Sequence, residues 1–419
     1  MKLNHPNADW IIEYTDGRAV GPRKIESQGS TLLSFVHCRI DGVNDDELDT
    51  RKVRHFHKGG CAVFEGDGEF PSAQVRLKQT HRIAGNAIRA TYDLTWPKAT
   101  PLKSGLELGS MVLAGAWKKY FVVNADSTDA EWIQIPEELS TPLVIAPIPA
   151  AIVLEDAKGR RLEVGLGDDL WRWQKALNGE FLHATGRLEL TRSGNRMTLR
   201  RYVAFCDAAA EAKAAAALAK DPRFMPGEDG APAKEVPVSQ PEARNYRFTS
   251  YLAWSAPEIE QDWSVKNDAR TIEFDKNGEL VRADLEAIGE SPKLALDMAS
   301  MPIDDSSRHA GKENAMPCWQ SRKTQSLYRR VIRQLANFSQ EGTLVLKNLT
   351  PGFCDIAVHE SRRANAEHWD LPTIIDTLAW TRQILGTGWT ILTPQEGIWK
   401  EMPSVSALGA PTGFRLSDL

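Results

Sequence analysis

The chain has 419 residues, enough for two or three domains or for one large β-sandwich with an addition. Hydrophobic residues at 42% and charged residues at 26% suit a globular protein with a sizeable core, and a net charge of −5 leaves no overall positive field to gather a phosphate backbone. Nucleic acid is therefore not an expected partner. Nor is a membrane, because no apolar run approaches the ~18 residues of a spanning helix. The longest candidate, from Pro142 to Leu154, is broken by Pro147 and Pro149. The start, Met1-Lys2-Leu3-Asn4-His5-Pro6, lacks the apolar stretch of a secretory signal. The chain as written is expected in the cytoplasm, and in a secreted or periplasmic setting only if a leader has been removed. Cys38, Cys61, Cys206, Cys318 and Cys354 are odd in number, scattered and free of any CxxC pair, which predicts reduced thiols rather than disulfides or a zinc site.

Alternation with period two is the dominant pattern. Val75, Leu77, Gln79, His81 and Ile83 share one face of a predicted strand; after Ala84-Gly85-Asn86 the pattern resumes at Ile88, Ala90, Tyr92, Leu94 and Trp96. Gly and Asn supply the positive φ of a tight hairpin turn. The design recurs from Ile152 to Leu166 around Asp156-Ala157-Lys158-Gly159, from Arg187 to Phe205 around Ser193-Gly194-Asn195, and from Thr271 to Leu285 around Asp275-Lys276-Asn277-Gly278. Four such units predict antiparallel sheet. Ala208 to Lys220 is rich in Ala, Glu and Lys and predicts a helix, and the Pro-rich stretch Asp221 to Ala243 predicts a linker or long loop. Tyr246, Phe248, Leu252 and Trp254 return to strand-like alternation.

The last part of the chain reads differently. Gln320 to Phe338 places Leu327, Val331, Ile332 and Leu335 on one stripe, with Arg322, Arg329, Arg330 and Arg333 mostly outside it, an amphipathic helix with a solvated basic side. Thr343 to Leu349 predicts a strand, Asp370 caps a helix closed by Gly386, and Trp389 to Leu392 predicts another strand. The predicted fold class is mainly β: a large antiparallel β-sandwich over 1–300, with the Ala-rich helix and Pro-rich loop at 208–243, followed by a smaller α/β part over 301–419.

Searches for GxGxxG, GxxxxGK[ST], GxSxG and HExxH find nothing, which weighs against nucleotide-dependent enzymes, elbow-type serine hydrolases and zincin proteases. Three polar clusters remain. His55 and His57 fall on one side of a strand at a spacing that would share a metal, with His81 or a carboxylate as third ligand. The same pair suits a solvent-facing strand end, and no cofactor is indicated beyond the divalent metal that the pair would allow. Asp168 and Asp169 stand beside Trp171 and Trp173, carboxylates for sugar hydroxyls or acid–base work next to indoles that stack on a pyranose; equally, an Asp caps a turn while the indoles pack. His359 and Glu360 precede Glu367-His368-Trp369-Asp370 on a loop between a predicted strand and helix, a place where chemistry collects and also an ordinary polar crossing. The candidate set is thus Asp168, Asp169, His359 and Glu360 for catalysis, and Trp171, Trp173, His81 and Trp369 for substrate. Thirteen Trp against seven Tyr add weight to stacking surfaces, since an indole N–H is costly to bury without a partner.

The long hairpins, Tyr92-Asp93-Leu94-Thr95-Trp96-Pro97, and Leu106-Glu107-Leu108-Gly109-Ser110 followed by Trp117 resemble the β-supersandwich of galactose-mutarotase-like domains over about residues 8–300. Such domains occur in sugar epimerases, glycoside hydrolases and polysaccharide lyases. The His pair and late Glu of the aldose epimerases have no matching context here. The resemblance therefore implies a concave sheet face lined with Trp, His and carboxylates that holds a sugar, rather than mutarotase activity itself. The expected function is a carbohydrate-active hydrolase, lyase or epimerase acting on a sugar or glycan. The alternatives are a non-catalytic carbohydrate-binding or assembly subunit with an oligomer or protein partner, and a metal-dependent enzyme using His55 and His57.

Overall fold

The computed structural model describes residues 2–5, 8–40, 42–58, 61–96, 106–123, 129–145, 149–165, 184–194, 196–205, 244–255, 269–275, 277–280, 292–303, 316–319, 321–349, 353–354, 368–392 and 401–404. Two antiparallel sheets of nine strands form a sandwich. The first runs Lys2–His5, Ala8–Glu13, Lys24–Ser27, Ser30–Ile40, Leu106–Ala114, Arg196–Phe205, Ala184–Ser193 and Leu139–Ile145 in spatial order, with Val43–Asn44 also paired to Ser30–Ile40. The second runs Ile133–Gln134, Trp117–Val123, Ala151–Asp156, Arg161–Gly165, Arg244–Ser255, Ala87–Trp96, Val75–Ala84, Cys61–Phe70 and Asp49–Lys58.

Three of the four predicted hairpins form in full. Ala84 pairs with Ala87 across Gly85-Asn86, where Gly85 takes a φ of +50° that a side chain would resist. Val75, Leu77, Gln79, His81 and Ile83 are buried while Arg76, Lys78 and Arg82 are exposed, as the pleat requires. In the second hairpin Asp156 builds the turn: one carboxylate oxygen accepts the N–H groups of Lys158 (2.8 Å) and Arg160 (3.0 Å), and the other accepts from the Arg160 Nε at 2.6 Å. The third, Ala184–Ser193 with Arg196–Phe205, stays in unbroken register. The fourth is described only in part. The Asp275 turn closes, with Asp275 N–H donating to the Glu279 carbonyl at 2.8 Å and Phe274 bridging to Leu280 antiparallel, and residues 281–285 of its second arm lie outside the described residues. Arg270–Thr271 also pairs in parallel with Lys293–Asp297. The apolar side chains Ile272 and Leu280 sit in a core shared with a helix. The predicted helix at 208–220 and loop at 221–243 lie outside the described residues.

Inward residues of the two sheets make the sandwich core. Ile12, Ile25, Leu33, Met111, Leu113, Leu188, Leu190, Met197 and Leu199 of the first meet Phe64, Ile83, Ile88, Trp117, Ile152, Leu154, Leu162, Leu252 and Trp254 of the second. A neighbouring cluster joins Cys38, Ile40 and Leu108 to Phe70, Val75, Leu77, Tyr92 and Leu94.

The α/β part is a parallel sheet of Arg270–Thr271, Lys293–Asp297, Gly342–Lys347 and Trp389–Leu392, with helices Arg322–Phe338 and Asp370–Leu385 between successive strands. It begins ahead of residue 300, since two of its strands precede that point. The predicted stripe Leu327, Val331, Ile332 and Leu335 is buried. The Thr381 hydroxyl donates to the Thr377 carbonyl (2.8 Å) and so accepts the Tyr328 O–H at 2.9 Å, tying the helices together.

Phe121, Val123, Ala151, Val153 and Tyr251, on the outer face of the second sheet, share one core with Leu294, Leu296, Trp319, Leu327 and Trp389. The α/β part therefore covers that face. Gly165 permits the contact, because a Cβ there would stand 1.8 Å from the Tyr251 ring. Gly165→Ala is expected to lose about 1–3 kcal/mol by overpacking. A thermal melt checks this, and an unchanged midpoint would show that the ring is free to move.

Candidate functional site

The outer face of the first sheet gathers a polar group that no single stretch of sequence contains. On Ser30–Ile40, Val36, Cys38 and Ile40 point into the core, so Phe35, His37 and Arg39 point out. On the neighbouring Leu106–Ala114, plain alternation would put Glu107 and Ser110 on opposite faces. A one-residue bulge prevents this: Leu108 pairs with Cys38 and Ser110 with His37, and Gly109 between them takes φ +70°. Leu108 and Met111 stay in the core, and Glu107 and Ser110 both lie on the outer side of the sheet beside His37 and Arg39, with Ser110 fully buried beneath them.

Glu107 is the centre of the group. One carboxylate oxygen accepts from the Arg39 guanidinium at 3.3 Å, and the other lies 3.6 Å from His37 Nε2. Arg39 is itself held by Asn44 at 2.8 Å. Burial works to raise the Glu107 carboxyl, but the neighbouring His37 and Ser110 side chains and the charge of Arg39 prevail and hold it below the ordinary range. The carboxylate is thus charged and oriented, with an imidazole beside it. Phe35 exposes 41% of its surface on the same strand, and the Arg23 guanidinium lies 5.6 Å from its ring centroid. Thr198 and Arg200 extend the face across the next strand. Chemically, this is an acid–base pair flanked by hydroxyl-binding groups and an aromatic ring.

None of the residues singled out from sequence is among the described members of this group. Asp168, Asp169, Trp171 and Trp173 lie outside the described residues, on the connection from the second sheet at Gly165 to the first at Ala184. His359 and Glu360 also lie outside them, between Phe353–Cys354 and His368–Trp369, which pair antiparallel and so bring the ends of that connection together. Trp369 is placed by its backbone in the second of these strands.

His81 is 1% exposed in the sandwich core, so as placed it faces no ligand in solvent. Its Nδ1 lies 3.1 Å from the Tyr14 hydroxyl, and burial drives its pKa down to about 3, keeping the ring neutral. His55 is half-buried and His57 exposed. In cross-strand register Phe64 stands between His55 and His81, with centroids 5.0 and 5.2 Å from theirs, so the two imidazoles do not meet over one ion. Among the described residues no three His, Cys, Asp or Glu side chains are grouped to hold a metal.

The expectation of a Trp-lined face is also redirected. Trp10, Trp117, Trp254, Trp319 and Trp389 are buried, and Trp132 and Trp380 pack against cationic side chains. The exposed ring on the candidate face is a phenylalanine. Its signal in the sequence was the outward series Phe35, His37, Arg39 against Val36, Cys38, Ile40.

No protein-family profile matches the chain, and no curated protein matches it. Among solved structures it is similar to a galactose mutarotase related enzyme from Lactobacillus acidophilus, with 8% identity over 62% of this chain and 100% of that one and a TM-score of 0.33. It is likewise similar to a galactose mutarotase-like protein from Lactobacillus casei, with 7% identity over 61% of this chain and 100% of that one and a TM-score of 0.32. A third similarity is to the alpha-galactosidase from Lactobacillus brevis, at 8% identity over 100% of this chain and 72% of that one, TM-score 0.37. The first two cover about the extent of the resemblance read from the sequence. With TM-scores below 0.5 these likenesses assign no activity, and the functional reading rests on the side chains themselves.

Proposed function

We propose that this chain is a carbohydrate-active protein that holds a sugar or glycan on the outer face of its first sheet and transfers protons there through Glu107 and His37. The observation that carries this reading is the bulge-built group of Glu107, His37, Arg39 and Ser110 beside the exposed Phe35 ring. Sugars present hydroxyls that charged and hydroxyl side chains bind, and apolar C–H faces that rest on an aromatic ring. A charged carboxylate serves as base, and a neighbouring imidazole serves as the returning acid. Such a pair suits proton removal and return at a sugar carbon or hydroxyl, the work of an epimerase or lyase. Glycoside hydrolysis by the usual route takes two carboxylates. The acidic–aromatic clusters at 168–173 and 359–369 are proposed as sugar contacts in their own right, separate from this face.

The test is a panel of neutral and acidic sugars read by thermal shift and tryptophan fluorescence, since a ligand that binds only the folded state raises the melting temperature. Phe35→Ala is expected to weaken a specific hit by about tenfold, the equivalent of one aromatic contact. Binding without turnover would make the face a carbohydrate-binding module. No response to any sugar would remove the reading and turn attention to protein partners.

A further inference from the structure

Away from this face, a carboxyl is buried where the sandwich meets the α/β part. Glu163 points outward from Arg161–Gly165, yet it is 0% exposed because residues 401–404 lie over it. Three donors converge on it: the Tyr251 hydroxyl at 2.6 Å, the Ser404 backbone N–H at 2.8 Å and the Ser404 hydroxyl at 2.8 Å. Met402 beside them is buried in the shared core.

All three donors are neutral. Among the described side chains, the charged groups around Glu163 on its outer side are Lys119, Glu155 and Arg161 from the second sheet and Glu401 from the covering segment. They satisfy one another: Lys119 and Arg161 each reach Glu155 at 2.9 Å, and Arg161 reaches Glu401 at 2.5 Å. Tyr251 on Arg244–Ser255 has its own ionisation suppressed by burial and by Glu163. Two cations thus serve two carboxylates, and among the described residues no cation pairs with Glu163.

We propose that Glu163 is a proton-dependent latch: as a neutral acid it fastens residues 401–404 to the outer face of the sandwich, and on losing its proton it releases them. A carboxyl in its place has its solvation removed and no counter-ion among the described residues, so the neutral form is favoured. Burial raises the Glu163 carboxyl above the ordinary range, although Tyr251 and Ser404 pull the other way. The neutral acid keeps its bonds, because either hydroxyl can turn to accept its proton. The sign follows from linkage. The folded state holds the proton more tightly than the unfolded chain, so the latch's contribution is full at low pH and is lost as pH rises through the raised value. Failure of the sugar reading would leave this device untouched, since the two share no residue.

Hydrogen exchange of the full chain, corrected for the intrinsic pH dependence of exchange, tests it. Over a sweep from about pH 4 to about pH 9, protection at 401–404 in the wild type is expected to fall by up to about tenfold per unit between the ordinary carboxyl value and the raised folded value, and to level off above it. Glu163→Gln, which has no proton to lose, is expected to show a flat profile. Tyr251→Phe removes a donor to the charged form and is expected to shift the fall to higher pH. Constant protection in the wild type, or the wild-type fall persisting in Glu163→Gln, would overturn the proposal. Should Glu163→Gln fail to fold, Tyr251→Phe and Ser404→Ala decide it, and profiles whose midpoints stay at the wild-type position count against it.

Discussion

Glu107→Gln is expected to reduce turnover of a responding sugar by about 10²–10⁴-fold, the usual worth of one acid–base group. The amide keeps the shape and one acceptor for Arg39 but cannot take a proton. Binding should survive better than turnover, because Phe35 and Arg39 remain in place. His37→Asn removes the partner and is expected to lose turnover to a similar degree. The pH profile adds a sign. Glu107 is held below the ordinary carboxylate range, so the activity that needs it ionised should persist to lower pH than a free glutamate would allow, and then fall. Arg39→Ala takes away one of the groups that hold it down and should move that acid limb to higher pH. Asp168→Ala and Glu360→Ala, assayed beside these, tell whether the clusters at 168–173 and 359–369 share the work. Turnover at wild-type rates in both Glu107→Gln and His37→Asn would sink the assignment of this face.

Trp254→Ala should cost about 3–5 kcal/mol of folding stability. Trp254 is 1% exposed and meets Trp10 edge-on at 6.4 Å, so its ring bridges the two sheets of the sandwich. Its strand is central, paired with Arg161–Gly165 on one side and Ala87–Trp96 on the other, so the surroundings have little freedom to collapse into the space. Its Nε1 is buried without a hydrogen-bond acceptor among the described residues, and losing that N–H forfeits none of the described bonds. Trp254→Phe should therefore cost far less, about 1–2 kcal/mol for the smaller ring. Urea denaturation with an unchanged slope measures both. A loss under about 1 kcal/mol for the alanine variant would mean that the core closes over the gap.

Most of the architecture was legible in the sequence because its signals are local. Period-two burial at Val75–Ile83, Gly85-Asn86 in a two-residue turn, the Asp156 turn and the stripe on Arg322–Phe338 each follow from a few neighbouring residues, and each forms. The hairpin after Thr271 is described only at its turn and first bridge, which form, while the parallel pairing of Arg270–Thr271 with Lys293–Asp297 is non-local and was not legible.

The candidate site was not legible in the same way. Tryptophan abundance pointed to binding surfaces, and the described indoles went to the core or against cations. His81 carries the alternation of a core strand, and its burial followed the pattern rather than its side-chain type. Glu107 was visible only as part of a textural resemblance. Its meeting with His37 depends on a strand pairing across about seventy positions and on one bulge.

What the sequence by itself determined is the mainly β sandwich, its hairpins and the α/β continuation, because alternation, turn residues and helical stripes are written in adjacent positions. Which outward side chains stand together was decided by the tertiary structure alone. Strand order and the Gly109 bulge bring His37 and Arg39 to Glu107, and the docking of residues 401–404 encloses Glu163. Contacts between residues 68 or 241 positions apart depend on strand order and packing, which no local pattern encodes.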